Sequence, residues 1–174
     1  MTDNIQIRRS AVVDIPYILD IFAYARHFMA TNGNPCQWVN GYPDKNFLLN
    51  DINIGSSYVC TVNDKIVGTF VLQEGKDPTY NVIHDGQWLN EEPYATIHRI
   101  AGNGETKGLL HAALQFALQT HSNIRIDTHR DNTVMQNALR KEGFIYCGII
   151  NCWNGGERMA YQLVRSKLMK TDLA

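Results

Sequence analysis

The sequence predicts a mixed α/β domain in which a partly parallel sheet carries helices on both faces. Short runs of alternating or β-branched residues recur between segments whose apolar side chains fall at helical spacing. A strand–helix–strand run over residues 94–129 forms a crossover unit, and such units are parallel and right-handed. The chain has 174 residues, 44% of them hydrophobic and 19% charged. One domain of that length buries about 70% of its unfolded surface. No internal repeat, low-complexity tract or linker interrupts residues 1–174, so the expectation is a single domain.

Ile5-Gln6-Ile7-Arg8 alternates and reads as the first strand. Asp14 is expected to cap a helix that carries Pro16 in its first turn, where a missing N–H does no harm. Ile15, Ile18, Leu19, Phe22 and Met29 give that helix one apolar face, and Asn32-Gly33 ends it. A short second helix lies between Pro43 and Ile52. Strands at 58–62 and 66–72 are joined by Asn63-Asp64-Lys65, a tight hairpin signal. Residues 94–101 are the fourth strand, 106–121 a helix, 124–129 the fifth strand and 132–142 a further helix. Gly143 suits the left-handed position that stops this last helix. A strand at 144–147, a hairpin turn at Asn154-Gly155 and a strand at 158–163, which closes the sheet, complete the order.

Composition excludes several classes. Sixteen Lys and Arg against seventeen Asp and Glu give a net charge of −1, which lacks the electrostatic footprint of a nucleic-acid binder. There is no apolar run of membrane-spanning length, and Met1-Thr2-Asp3-Asn4 does not open a secretion signal. Cys36, Cys60, Cys147 and Cys152 form no C-x-x-C pair and show no zinc spacing. The expectation is a cytoplasmic protein with free thiols and no metal, acting as a monomer or homodimer, with no nucleic-acid or membrane partner.

Chemistry is concentrated in the turn after the fourth strand, Ile100-Ala101-Gly102-Asn103-Gly104-Glu105-Thr106-Lys107-Gly108-Leu109-Leu110. A helix start offers unpaired N–H groups and a positive dipole end, a natural seat for phosphate. The P-loop order fails, because Lys107 precedes Gly108. The dinucleotide fingerprint fails too, because Lys107 stands where its third glycine is needed.

The segment instead resembles the phosphate arm [QR]-x-x-G-x-[GA] of the GNAT family of acetyl-CoA-dependent N-acyltransferases. In that frame Gly108 is kept, while Glu105 and Leu110 depart from it. A second motif is more specific. Asn132-x-x-Met135-x-x-x-Leu139-x-Lys141-x-Gly143-Phe144 is similar to the family's N-x-x-[AS]-x-x-[LF]-[YF]-x-x-x-G-F, with the spacing from Asn132 to Gly143-Phe144 intact. Ile97-His98-Arg99-Ile100-Ala101, the run from Ile126 to Asn132, and Arg158-x-Ala160-Tyr161-Gln162 look like a bacterial subgroup of unassigned substrate.

The resemblance implies a mostly antiparallel sheet of six or seven strands, splayed between the fourth and fifth, with acetyl-CoA as cosubstrate. It places backbone groups of Ile100 and Ala101 against pantetheine. The loop of Glu105, Thr106, Lys107, Gly108, Leu109 and Leu110 would lie on the pyrophosphate, with its N–H groups from Thr106 onward as the donors. Asn132 would touch pantetheine, cap its own helix, or do both.

Acyl transfer needs a neutral amine, and only about one lysine-like amine in a few thousand is neutral at pH 7, equivalent to about 4–5 kcal/mol. An imidazole titrates near neutrality, so His98 is the candidate base, directly or through water; a strand histidine with a purely structural bond is the alternative. Tyr94, Thr96 and His98 share the alternation of Ile100. Asp127 and His129 share a face of the fifth strand, as a proton relay or as a structural clasp. Glu74 is a reserve base. Leu139 stands where the family places an acidic tyrosine, for which Tyr146 or Tyr161 are substitutes; a thiolate departs with little help.

Five acids between Gln73 and Glu92 face Lys76 alone. Their field favours a small cationic amine as acceptor, or they form a solvated loop. Trp38, Tyr42 and Trp88 are candidates for an acceptor pocket, or pack beneath loops. A peptide amine remains open as acceptor, as does a non-catalytic acyl-CoA-sensing role.

Overall fold

A computed structural model describes residues 4–165. Strand β1 (Gln6–Arg9) leads through a 3-10 turn at Val12–Asp14 into helix α1 (Ile15–Thr31) and then α2 (Lys45–Asn53). Strands β2 (Ser57–Val62) and β3 (Lys65–Glu74) form a hairpin in which Asn63 and Asp64 both take positive φ, 48° and 64°. That mirror-image turn matches the twist of its strands. A long connection, with a 3-10 turn at Pro78–Tyr80, reaches β4 (Ala95–Gly102). Helix α3 (Leu109–Ala117), β5 (Asn123–Thr128), α4 (Thr133–Lys141), β6 (Ile145–Asn151) and β7 (Glu157–Val164) follow.

The seven strands lie in the order β1-β2-β3-β4-β5-β7-β6. Only β4 and β5 are parallel; every other pairing is antiparallel. Among the described residues the last strand, β7, is therefore internal, and β6 closes the edge that the sequence assigns to residues 158–163. Ala113, Leu114 and Ala117 of α3 and Leu139 of α4 pack with Phe70, Ile97, Ile124 and Ile126 in one core layer. Ile18, Ile21 and Phe22 of α1 and Leu48 of α2 pack with Val59 and Ala101 in a second. Tyr80, Trp88, Tyr94, Cys147, Ile150 and Ala160 form a third cluster, which fastens the β3–β4 connection to β6 and β7.

Three local expectations are corrected, and the β6–β7 turn falls at Asn154-Gly155 as the sequence places it. Asp14 stands at the α1 N-cap position without capping that helix; its carboxylate takes Arg8 at 2.7 and 2.9 Å and the Ala11 N–H at 2.7 Å. Helix α3 starts at Leu109 rather than Thr106, because Gly108 is left-handed (φ 82°) and serves as its N-cap; it stops at Ala117. The turn before β7 carries its positive φ at Gly155 alone (φ 80°), closed by the Gly155 N–H on the Cys152 carbonyl. The even alternation of β4 is broken as well: Val71 faces His98 and Thr69 faces Ala101, so Phe70 opposes both Arg99 and Ile100. Arg99 takes φ 49° in this bulge, which re-aims the side chains that follow.

Candidate active site

Strands β4 and β5 pair only at Ala95–Ile124 and Thr96–Arg125. Beyond those two contacts they diverge, although β5 stays paired with β7 along its whole length and β4 with β3 as far as Gly102. Backbone groups of residues 97–102 and 126–128 that face the gap have no ladder partner, and such groups demand one. The gap opens into a cavity of about 1100 Å³ lined by Ile100, Ala101, Asp127 and Asn132 among others.

At the bottom of this cleft the chain turns into α3. Among the described residues, no acceptor bonds the backbone N–H groups of residues 106–111. The loop is anchored by Leu109, whose side chain lies over two strand glycines: a methyl group at Gly102 would sit 2.3 Å from Leu109 Cδ1, and one at Gly68 2.8 Å from Cδ2. Thr106, Lys107, Leu109 and Leu110 line the cleft. Gly108 faces instead a smaller cavity on the outer side of α3, beside His111. Glu105 is tied to Asn103, receiving its side-chain N–H at 3.2 Å and donating a backbone N–H at 3.0 Å. Its carboxylate is thus turned onto the loop, away from the row of free N–H groups.

His98 lies on the opposite wall. Its Nε2 is 2.7 Å from Asp77 Oδ2. The other Asp77 oxygen takes the backbone N–H and hydroxyl of Thr79, and the Asp77 N–H donates to Tyr94 Oη. Burial works to raise the Asp77 pKa, but the bonds from His98 and Thr79 outweigh it and hold it down to about 2. A carboxylate so held stays ionised and accepts a hydrogen bond from Nε2–H, which leaves Nδ1 as the nitrogen with a free lone pair. Nδ1 lies 4.0 Å from Asp127 Oδ2, which accepts the buried Tyr80 hydroxyl at 2.7 Å.

Arg99, re-aimed by the bulge, is held by Asp51 of α2 at 2.8 and 3.0 Å and donates to Tyr42 Oη at 3.2 Å. Burial pushes the Asp51 pKa up against the pull of Arg99. Trp38 and Tyr42 meet edge to face at 6.3 Å between centroids, and the exposed Trp153 of the β6–β7 turn leans on Tyr42 at 5.8 Å. These rings line the upper cavity. Asn132 caps α4 through its Oδ1 on the Met135 N–H, and gives a side-chain N–H to Gln37 Oε1 at 2.9 Å.

Other candidates lie elsewhere. Glu74 is solvent-exposed, 3.7 Å from His121 and away from the cleft. His129 follows the end of β5, where its Nδ1 accepts the Asp131 N–H; unlike Asp127 it does not line the cavity. Trp88 is buried in the third cluster, stacked on one side of Arg125 with Tyr94 on the other. Of the acids between Gln73 and Glu92 only Asp77 reaches the cavity. Leu139 is fully buried in the core, Tyr161 nearly so, and Tyr146 is half exposed outside the cleft. Tyr24, Trp153 and Arg158 line the cavity unanticipated. The turn signal at Asn154-Gly155 marks the hairpin carrying Trp153, while nothing in the sequence marks Tyr24.

Among the described residues no helix is long and apolar enough to cross a membrane. No protein-family profile matches the chain, and no curated protein does. Solved structures do. The chain is similar to a GNAT-family acetyltransferase from Streptococcus agalactiae, with 31% identity, 96% of this chain and 99% of that one covered, and a TM-score of 0.86. A GNAT-family acetyltransferase from Listeria monocytogenes is 18% identical over 95% of this chain and 99% of that one, with a TM-score of 0.69, a likeness of fold.

Proposed function

The chain belongs to the GNAT family of acetyltransferases, and from that premise we propose that it moves an acetyl group from acetyl-CoA to a primary amine of a small molecule or peptide, both bound in one cleft. One observation carries this reading: a strand edge without partners opens beside a helix start whose N–H groups are free. A ligand fits such a cleft when it offers amides at one end and a diphosphate at the other. The pantetheine amides would extend the sheet along the free edge of β4 at Ile100 and Ala101, as an added strand. The diphosphate would accept N–H groups from Thr106 to Leu110, with the dipole of α3 and the Lys107 charge in support. Acetyl-CoA supplies the activated thioester, and the side chains supply position and proton transfer.

His98 receives the amine proton at Nδ1. Asp77 holds the Nε2–H, fixes the tautomer and stabilises the imidazolium that results. Asp127, with Tyr80 steadying it, attracts the incoming ammonium. Asn132 closes the mouth through Gln37 and has one amide hydrogen left for pantetheine. No general acid is required of position 139, since a thiolate with a pKa near 8.5 leaves readily.

The departures from the family pattern at Leu110 and Leu139 support a second reading, a domain that binds acyl-CoA without transferring it. Thiol release from acetyl-CoA across a panel of amines separates the two. Turnover on at least one amine supports the enzyme; tight acetyl-CoA binding by calorimetry with no turnover on any amine supports the sensor. In an active enzyme, His98→Ala lowers kcat/KM at pH 7 by about 10²–10⁴-fold. Gly108→Trp, at the left-handed N-cap that sets where α3 begins, shifts the free N–H groups and weakens acetyl-CoA binding in the same calorimeter, and unchanged affinity would remove this turn as the phosphate site.

A further inference from the structure

The cavity holds one charge, that of Arg158, which acyl transfer as described above does not use. Asp127 uses Oδ2 for Tyr80, and its Oδ1 has no hydrogen-bond partner among the described residues. Arg158 of β7, half-buried, lines the same cavity. Its guanidinium donates only to neutral carbonyls, those of Glu157 at 2.9 Å and Gln37 at 3.3 Å. Among the described residues no carboxylate comes within 4.0 Å of it. The neighbouring Glu157 carboxylate is taken by Arg130. Arg99, the other guanidinium of the cavity, is by contrast neutralised by Asp51.

Asp127 faces Ala160 across the β5–β7 ladder, so Arg158, two residues from Ala160, stands on the same sheet face, diagonal to Asp127. Diagonal positions are roughly 7–8 Å apart, within reach of long side chains. His129, opposite Arg158 at the end of the ladder, has its pKa pushed down by burial and then by the Arg158 charge. Trp38, Tyr42 and Trp153, in contact with one another through Tyr42, line the same cavity.

We propose that the acceptor is an aromatic α-amino acid, its ammonium at Asp127 and His98, its carboxylate on Arg158, and its ring against Trp38, Tyr42 and Trp153. This assignment rests on the acetyl-transfer reading above. In the reaction the amine nitrogen forms a bond to the acetyl carbon while the thioester C–S bond breaks, its electron pair leaving on sulfur. The ammonium gives up two protons, one by way of His98 Nδ1 to solvent and one to the departing sulfur. The acids of the β3–β4 connection other than Asp77 lie outside the cavity and offer no seat for a polycation there.

The test compares L-phenylalanine, L-phenylalaninamide and 2-phenylethylamine as acceptors. The amide matches the amino acid in shape, lacks the carboxylate and holds more of its amine neutral at pH 7, a bias against the expected result. The wild type is expected to prefer L-phenylalanine over both by about tenfold or more in kcat/KM, the scale of one charge-assisted hydrogen bond. Arg158→Gln abolishes that preference, Arg158→Lys restores part of it, and acetyl-CoA affinity by calorimetry stays level in both. L-Alanine is the poorer substrate if the rings hold the side chain. Equal or better turnover of the two uncharged-tail amines, unaffected by Arg158→Gln, overturns the inference while acetyl transfer stands; so does acetylation of spermidine alone. Bound acetyl-CoA with no thiol release from any amine overturns both.

Discussion

At the residue scale the site turns on one carboxylate. Asp77 is nearly buried, and its charge is kept by His98 and Thr79 rather than by water. Asp77→Asn leaves the volume unchanged, removes the charge that stabilises a protonated ring and permits the wrong tautomer. A fall in kcat/KM on the order of 10²-fold at pH 7 is expected, with acetyl-CoA affinity retained. The same bonds enter stability. The Asp77 pKa drops from 3.8 to about 2 on folding, so its contribution is complete above pH 4 and is lost as pH falls toward 2. That loss is on the order of 2 kcal/mol. Urea unfolding at pH 6 and pH 2.5 should show a steeper decline for the wild type than for Asp77→Asn. The sequence singles out His98 as a base, but Asp77 enters it only as one of several acids in an irregular stretch. The partner lies 21 residues away in the chain, a separation that no local pattern reports.

At the scale of elements, the turn before α3 is anchored on the sheet through Leu109. Leu109 sits on Gly68 and Gly102, and the approach leaves no room for Cβ atoms. Gly102→Ala is expected to destabilise the fold by about 1–3 kcal/mol through overpacking and to weaken acetyl-CoA binding by displacing the start of α3. Leu109→Ala in the same chain should recover part of both losses, a coupling readable in a double-mutant cycle by urea unfolding and calorimetry. The glycines in this turn are plain in the sequence, yet their purpose is not. Gly108 supplies a left-handed N-cap and delays the helix to Leu109, whereas propensity alone extends that helix back to Thr106. Asp14 shows the same competition in reverse: its position suits a cap, but Arg8 on the adjoining strand takes the carboxylate first.

For the whole molecule the central feature is an incomplete sheet. Burying apolar faces of α1 with α2 and of α3 with α4 stabilises both layers, yet β4 and β5 part after two residue pairs. A ligand completing that gap binds the folded chain alone and so stabilises it. If acetyl-CoA is that ligand, as proposed above, a hundredfold excess over its Kd is expected to contribute about 2.7 kcal/mol, equivalent to a rise of roughly 5–10 °C in Tm for a chain of this size. Differential scanning calorimetry should show that rise in the wild type and a smaller one in Gly102→Ala at the same ligand concentration.

Periodicity, with the turn and cap residues between the periodic segments, determined the identity and order of the helices and strands here, because both are local properties that the chain carries wherever it folds. The spacing from Asn132 to Gly143-Phe144 also pointed to the family. Tertiary structure decided the rest: the bulge at Arg99, the insertion of β7 between β5 and β6, the burial of Trp88 against Arg125, and the meeting of Asp77, His98, Asp127 and Arg158 around one cavity. Those features arise from contacts between residues far apart in sequence, where packing and charge pairing override the preference of each segment taken by itself.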